Sequence, residues 1–147
     1  MNYEFLRDGE GLRLEPYLDT KGVPTIGYGT TMYPSGKKVT LQDPGITIDQ
    51  AEEFMKWAVE TKWNAVKGKI IPQLNDNQKA AIVSLVYNIG VAGFNGSTLL
   101  KRINTGYTKQ GIVEAFMMWD KETINGKKVF NQGLANRRKK EADLYFS

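Results

Sequence analysis

The sequence predicts an α+β protein in which a small N-terminal β-containing lobe is joined by a long helix to a larger helical lobe. From about residue 12 to 45, short alternating segments are separated by the turn signals TKG and YPSG, which is typical of short antiparallel strands. After Pro44, apolar residues recur every three or four positions, which is typical of amphipathic helices. The 147 residues are enough for a single domain with a substantial core.

The N-terminal part is predicted to hold one short helix and three strands. A helix over 2–9 would turn Tyr3, Phe5 and Leu6 inward and stop at the glycines at 9 and 11. The segments LRLEPYLD, TIGYGT and KKVTL then predict a small antiparallel sheet.

The connecting helix is predicted over about 48–70. Thr47 and Gln50 have the spacing of a capping box, and Pro72 would end the helix. Its apolar stripe consists of Ala51, Met55, Val59, Trp63, Val66 and Ile70.

The helical lobe is predicted over about 73–147, together with the N-terminal helix. Asn75 and Gln78 repeat the cap pattern before KAAIVSLVYNIG, a segment apolar enough for a buried helix that ends at Gly90. Asn125-Gly126 predicts a tight turn between the later helices. These helices are expected at about 97–104, 109–120 and 135–146. The expected binding site is a cleft between the two lobes.

The composition restricts the chemistry. The chain has no cysteine, which excludes thiolate catalysis, disulfides and cysteine-ligated zinc. It has no histidine, the commonest general base and metal ligand. Acid–base chemistry would therefore depend mainly on carboxylates, and neither a metal nor a cofactor is expected.

The charge and the termini bear on partners and location. The net charge of +4 favours an anionic partner such as nucleic acid, membrane or cell wall, but solubility explains it at least as well. Nucleic-acid binding rests on charge alone, because no helix-turn-helix or zinc pattern is visible. No apolar run is long enough to span a bilayer, and MNYEFLRDGEG has no apolar core of a secretory signal. We therefore expect a cytosolic product that is monomeric and not inserted in a membrane.

Glu10, Asp19 and Thr25 are the candidate catalytic residues. Two carboxylates without histidine suit glycoside hydrolysis, in which one acid protonates the leaving oxygen and the other activates water or attacks the sugar. The glycines of GYG would let the backbone approach a bulky sugar. Spacing alone does not choose this set, because surface acids and strand threonines are common. Three other acids are equally available, namely Glu4, Asp8 and Glu15.

The run GEGLRLEPYLDTKGVPTIGYGT resembles the active-site segment of the phage-type lysozymes, or endolysins, of glycoside hydrolase family 24. The family pattern is glutamate, eight residues, aspartate, five residues and threonine, followed by T-I-G-x-G, and it matches Glu10, Asp19 and Thr25. The similarity continues through NQKAAIVSLVYNIG, GFNGSTLLKRIN and GLANRRKKEADL, in the family's order and over essentially the whole chain.

The resemblance implies a lysozyme-like fold and cleavage of the β-1,4 bond between N-acetylmuramic acid and N-acetylglucosamine in peptidoglycan. Glu10 would be the general acid, and Asp19 with Thr25 would act on the attacking water from the opposite face. Arg137 would contact the catalytic glutamate from the helical lobe. The neighbouring cations Arg138, Lys139 and Lys140 are interpreted as a solvated charged face.

The resemblance also implies residues along the sugar cleft, and it leaves alternatives open. The implied substrate contacts are Thr31, Tyr87, Asn88 and Ser97, although Tyr87 and Asn88 suit core and helix-end positions equally well. Many relatives have histidine at the position of Thr30, so any ion pair of that histidine is absent here. The alternatives to a lytic muramidase are a lytic transglycosylase and a non-catalytic peptidoglycan-binding module. Because no secretory signal is visible, host cell lysis would require a membrane lesion made by another protein.

Overall fold

The computed structural model describes all 147 residues and divides them into two compact units. One unit is Tyr3–Thr61, and the other is Lys62–Ser147 together with Met1–Asn2. The predicted α+β class is confirmed, with six helices and two small antiparallel sheets. The helices are α1 Tyr3–Glu10, α2 Ile48–Val66, α3 Asp76–Asn95, α4 Thr98–Thr105, α5 Lys109–Met117 and α6 Gln132–Tyr145. The strands are β1 Arg13–Leu18, β2 Pro24–Gly27, β3 Lys121–Ile124 and β4 Lys127–Phe130.

The N-terminal helix differs from the prediction in two respects. It continues through Gly9 and ends at Glu10, so only Gly11, with φ of 69°, marks its end. In addition, the helix is predicted as part of the helical lobe, whereas it belongs to the unit Tyr3–Thr61. Leu6 is the buried residue of the helix.

The N-terminal sheet has two strands instead of the predicted three. β1 pairs with β2 in antiparallel register, with Tyr17 opposite Thr25. The segment KKVTL contributes only an isolated bridge between Met32 and Lys38. Val39, one residue further on, is nevertheless buried with Ile26 in this unit.

The connecting helix begins as predicted. The backbone N–H of Thr47 donates to Gln50 Oε1 at 2.9 Å, and the N–H of Gln50 donates to Thr47 Oγ1 at 3.1 Å. α2 ends at Val66 and is followed by a 3-10 turn, Lys67–Lys69. Four members of the predicted stripe are at most 2% exposed, namely Ala51, Met55, Val59 and Val66.

The unit Lys62–Ser147 is built around α3. The capping box of Asn75 and Gln78 is present, and the helix is fully buried from Ala80 to Val86. Gly90 has the non-helical angles φ 85° and ψ 162°, so the predicted end is a kink, after which helical structure continues to Asn95. The hydrophobic core here combines residues of α3, α4, α5 and α6, among them Leu85, Leu99, Phe116 and Tyr145.

A β-hairpin between α5 and α6 was not predicted. Asn125 and Gly126 both have positive φ, so the predicted tight turn is present and joins β3 to β4. All residues of the two strands are exposed. No single helix of the chain is long and apolar enough to cross a membrane. The consecutive helices α3 and α4 reach that length and apolar composition only together, and the chain bends by 79° between them.

Candidate active site

Glu10 is the last residue of α1 and is partly buried against the backbone of Gly29. A Cβ atom on Gly29 would lie 2.7 Å from Glu10 Oε2, and Gly29 has φ of 73°. A side chain at this position would require the carboxyl group of Glu10 to move, and few residues other than glycine adopt this conformation. The last glycine of the TIGYG motif therefore makes room for the carboxyl group of Glu10.

The other motif glycine, Gly27, also faces protein groups. It has φ of 67°, and a Cβ there would approach Ala51 and Ile46 to 3.3 Å. The interpretation that the two glycines let a sugar approach the backbone is therefore replaced: they allow β2 to pack on its own unit and against Glu10.

Asp19 is held by the turn between β1 and β2. Its Oδ1 accepts hydrogen bonds from the backbone N–H groups of Lys21 and Val23, each at 2.8 Å. Its own N–H donates to the carbonyl of Val23 at 3.0 Å. Both side-chain hydrogen bonds use Oδ1, so the carboxyl group has a fixed orientation while Oδ2 makes no hydrogen bond to the protein.

Thr25 is only 3% exposed, and its Oγ1 donates to the carbonyl of Val23 at 2.8 Å. Asp19 and Thr25 are predicted to act on the same water, but their side chains do not hydrogen-bond to each other. Instead, the backbone of Val23 binds both, because its N–H donates to Asp19 and its carbonyl accepts from Thr25. Since the hydroxyl proton of Thr25 is used in this way, its oxygen is oriented as an acceptor.

Tyr17, which is not among the predicted site residues, is affected electrostatically by both carboxylates. Burial raises the pKa of its hydroxyl above the ordinary value, and the negative charges of Glu10 and Asp19 raise it further. Arg13, whose guanidinium lies 4.5 Å from the ring centroid, acts in the opposite direction. Glu10 and Asp19 thus act electrostatically on one phenol. Tyr17 lies directly opposite Thr25 in the sheet, a pairing that required the register to be known.

The three cations 138–140 on α6, which are predicted to form a solvated face, do not all face solvent. Arg138 is 0% exposed, and that part of the prediction is wrong. Its guanidinium donates to both oxygens of Glu141, at 2.6 and 3.1 Å, and to Asn88 Oδ1 at 2.8 Å. Lys139 and Lys140 are exposed, as predicted. Arg138 and Glu141 lie three residues apart on one helix, a spacing that could have suggested the pair but not its burial.

Arg137 is partly buried beside this pair. Its Nη2 donates to the carbonyl of Ser84 at 3.0 Å, and its Nε lies 3.4 Å from Glu141 Oε2. The arginine is therefore anchored to α3, unlike the two exposed lysines that follow it.

The implied substrate contacts occupy four different environments. Thr31 is exposed, and Tyr87 is partly buried with Lys62 Nζ 4.6 Å from its ring centroid. Asn88 Oδ1 accepts from Arg138. Ser97 is the N-cap of α4, donating to the carbonyl of Phe94 at 2.7 Å and accepting from the N–H of Leu100 at 3.1 Å.

Ser97 also lines a cavity of about 370 Å³ in the unit Lys62–Ser147. The other lining residues are Gly96, Thr98, Met118, Trp119, Lys121 and Lys128. The two lysines belong to the hairpin of β3 and β4, which was not predicted. No group of three or more acidic, histidine or cysteine residues in the chain is arranged to hold a metal ion.

Known proteins are similar to this chain in both sequence and fold. The endolysin of Escherichia coli O157:H7 phage FAHEc1 superposes with a TM-score of 0.88 at 43% identity, covering 98% of this chain and 89% of that chain. An endolysin of Acyrthosiphon pisum secondary endosymbiont phage 1 is 39% identical over 94% of this chain and 90% of its own length. A SAR-endolysin of Pseudomonas phage phiKMV is 38% identical over 90% of this chain and 78% of its own length.

These likenesses define a lysozyme-type glycoside hydrolase that acts on peptidoglycan. Residues 7–141 match the Phage lysozyme family, and the chain belongs to this family. The matched segment contains Glu10, Asp19 and Thr25, as well as Arg137 and Glu141.

Proposed function

We propose that this endolysin cleaves the β-1,4 bond between N-acetylmuramic acid and N-acetylglucosamine with Glu10 as general acid and Asp19 and Thr25 as the groups that act on water. The observation that carries the proposal is that all three side chains belong to one unit, Tyr3–Thr61, in which Asp19 and Thr25 are both hydrogen-bonded to Val23. Because Gly29 has no side chain, it leaves space for the carboxyl group of Glu10, and Val23 binds both Asp19 and Thr25.

In this mechanism Glu10 donates its proton to the glycosidic oxygen as the bond to the anomeric carbon breaks. Asp19, held through Oδ1, takes a proton from the attacking water at Oδ2. Thr25 accepts a hydrogen bond from the same water, because its own proton is donated to the carbonyl of Val23. The water oxygen becomes the new anomeric hydroxyl, and the leaving sugar keeps the proton from Glu10.

The remaining residues, which lie in both units, are assigned by the family resemblance. Arg137 would act on Glu10, and its two hydrogen-bonding partners on α3 and α6 support a fixed rather than a mobile guanidinium. Thr31, Tyr87 and Asn88 would contact the glycan. Since the hydroxyl of Ser97 already caps α4, we limit its role to the wall of the cavity that it lines.

Glu10→Gln tests the general acid. Glutamine keeps the shape of the side chain but carries no transferable proton, so lysis of peptidoglycan should fall about 10²–10⁴-fold while the circular dichroism spectrum is retained. Glu4→Gln, at an exposed position of the same helix, is the matched control and should lyse as the wild type does. Lysis by Glu10→Gln at the rate of this control would refute the assignment.

Asp19→Asn tests the role of the second carboxylate. Asparagine can still accept the two backbone hydrogen bonds at Oδ1, so the turn should persist while the base is lost. Proton NMR of fresh wild-type product should show the α-anomer first, as expected if water attacks directly with inversion. The β-anomer first would mean retention, and an anhydro sugar would mean transglycosylation; either result would overturn the proposed role.

We further propose that the protein acts as a monomer, without nucleic acid, and reaches the wall from the host cytoplasm through a membrane lesion made by another protein. The charge of +4 would help it bind an anionic wall. Lysis should then decrease as salt shortens the Debye length from about 10 Å at 0.1 M to about 3 Å at 1 M. A salt-independent rate would leave the charge with a role in solubility only.

A further inference from the structure

The mechanism above makes no use of the most deeply buried charged groups of the molecule. Arg138 and Glu141 are both 0% exposed. Glu141 Oε1 accepts from Arg138 Nε at 2.6 Å. Glu141 Oε2 accepts from Arg138 Nη2 at 3.1 Å and from Ser84 Oγ at 2.5 Å, with Arg137 Nε at 3.4 Å. One carboxylate therefore contacts three other side chains. We call these four residues the Glu141 cluster: Ser84, Arg137, Arg138 and Glu141.

The Glu141 cluster orients two residues that the proposed mechanism assigns to the substrate or to Glu10. Arg137 is tied at Nε to Glu141 and at Nη2 to the carbonyl of Ser84, which together fix the plane of its guanidinium. Asn88 is tied at Oδ1 to Arg138. Because Arg138 binds the amide oxygen, the orientation of the Asn88 amide is fixed and its NH₂ group points away from the guanidinium.

Stability alone is a weak reason for such a cluster. Burial raises the pKa of Glu141 and lowers the pKa of Arg138, which shows that desolvation opposes both charges even though they are paired. Replacing a buried ion pair by apolar residues of similar size is often neutral or stabilising. The geometry that the cluster imposes on Arg137 and Asn88 is therefore the property that an apolar core would not provide.

We propose that Glu141 is a positioning residue for the active site: by direct contact it sets the guanidinium of Arg137, and through Arg138 it sets the amide of Asn88. The inference rests on the proposed function, in which Arg137 and Asn88 serve the reaction. Glu141 itself touches no reacting atom in this proposal.

Glu141→Gln is the main test, because glutamine keeps the volume but removes the charge that binds two arginines. At a temperature where near-UV circular dichroism shows the variant fully folded, kcat/KM on peptidoglycan should fall at least about tenfold. Ile103→Ala, a buried change on α4 outside the cluster, is the matched control for lost stability. It should lower Tm and leave kcat/KM of the folded enzyme close to wild type.

Double-mutant cycles supply a readout that a structural role would not change. If Glu141 acts through Arg137 and Asn88, then Glu141→Gln should have little further effect on kcat/KM in a background that carries both Arg137→Ala and Asn88→Ala. Lys139→Ala, an exposed neighbour on the same helix, should leave the full effect in place. Additive effects in both backgrounds would overturn the proposal, as would a Glu141→Gln variant as active as Ile103→Ala.

Ser84→Ala keeps the test decisive if Glu141→Gln does not fold. It removes one hydrogen bond to Glu141 Oε2 and should give a smaller loss of kcat/KM with the same dependence on Arg137 and Asn88. Additivity there would equally overturn the proposal. Failure of the proposed function is distinguishable, since in that case Glu10→Gln would lyse peptidoglycan normally; if only Glu10→Gln is inactive, the failure concerns positioning alone.

Discussion

The two units hold their functional side chains by contacts of different sequence range. In Tyr3–Thr61, Asp19 and Thr25 are held through Val23, which is four and two residues away. In Lys62–Ser147, the corresponding contacts join α3 to α6 across 50 residues or more: Ser84 with Glu141, Ser84 with Arg137, and Asn88 with Arg138. Local hydrogen bonds follow from a turn motif, whereas the distant ones require two helices to pack first.

The largest expected effect comes from breaking the distant set. Arg138→Ala leaves Glu141 buried without its main partner, so we expect a loss of about 3–5 kcal/mol in the free energy of unfolding. Arg7→Ala removes a 2.6 Å ion pair with Glu52 in which both side chains are about one-third exposed, and it should cost much less. Urea denaturation of both variants measures the difference. Equal losses would show that burial does not distinguish the two pairs.

Gly29→Ala tests the local set. The added Cβ would push on the carboxyl group of Glu10, so lysis should fall about 10²-fold, the scale expected when a catalytic group is displaced by an ångström. Gly36→Ala is the matched control, because Gly36 also has a positive φ of 90° but no atom within 4 Å of the added Cβ. Both variants should lose stability, and only Gly29→Ala should lose activity when folded. Similar activity in the two variants would mean that Gly29 supports the backbone only.

A second local cluster has a predictable pH dependence. Asp43 accepts from the N–H and hydroxyl of Thr40 and from the hydroxyl of Tyr33, which lowers its pKa from 3.8 to about 2. This stabilisation is complete above the unfolded pKa and is lost as pH falls towards 2. Asp43→Asn should therefore lower Tm at pH 6, with a deficit that shrinks between about pH 4 and 2. Asp8→Asn, at an exposed helical position, is the control and should show no such trend; a constant deficit for Asp43→Asn would contradict the assignment.

The smallest expected effect concerns two threonines of the same unit. Thr30 is 2% exposed and its Oγ1 has no hydrogen-bond partner, whereas the equally buried Thr25 donates to Val23. Thr30→Val should stabilise by about 1 kcal/mol, or about 2–4 °C in Tm, because it removes an unsatisfied hydroxyl. Thr25→Val should not stabilise. Thermal unfolding of the pair decides the matter, and a lower Tm for Thr30→Val would mean that the hydroxyl has a role in this position.

Much of the local structure was predictable because its causes lie within a few residues. The capping boxes at Thr47 and Asn75 and the turn at Asn125-Gly126 each follow from side chains or glycines next to the feature itself, whereas the predicted helix end at Gly90 is a kink. The strands of the later hairpin were missed because all their residues are exposed, so no alternation of buried and exposed positions marks them. KKVTL was predicted as a strand but lacks a continuous partner strand.

The sequence by itself determined the α+β class, the residues available for acid–base chemistry and, through the motif around Glu10, the family. Only the tertiary structure decided that Arg138 is buried while Lys139 and Lys140 are exposed, since one run of cations on a helix contains no signal for which of them faces the core. It likewise decided that the carboxyl group of Glu10 occupies the space that a side chain at Gly29 would need, and that Ser84 and Glu141 meet across 57 residues. The physical reason is that burial and long-range hydrogen bonds depend on which surfaces pack together, whereas caps, turns and motifs depend on the chain next to them.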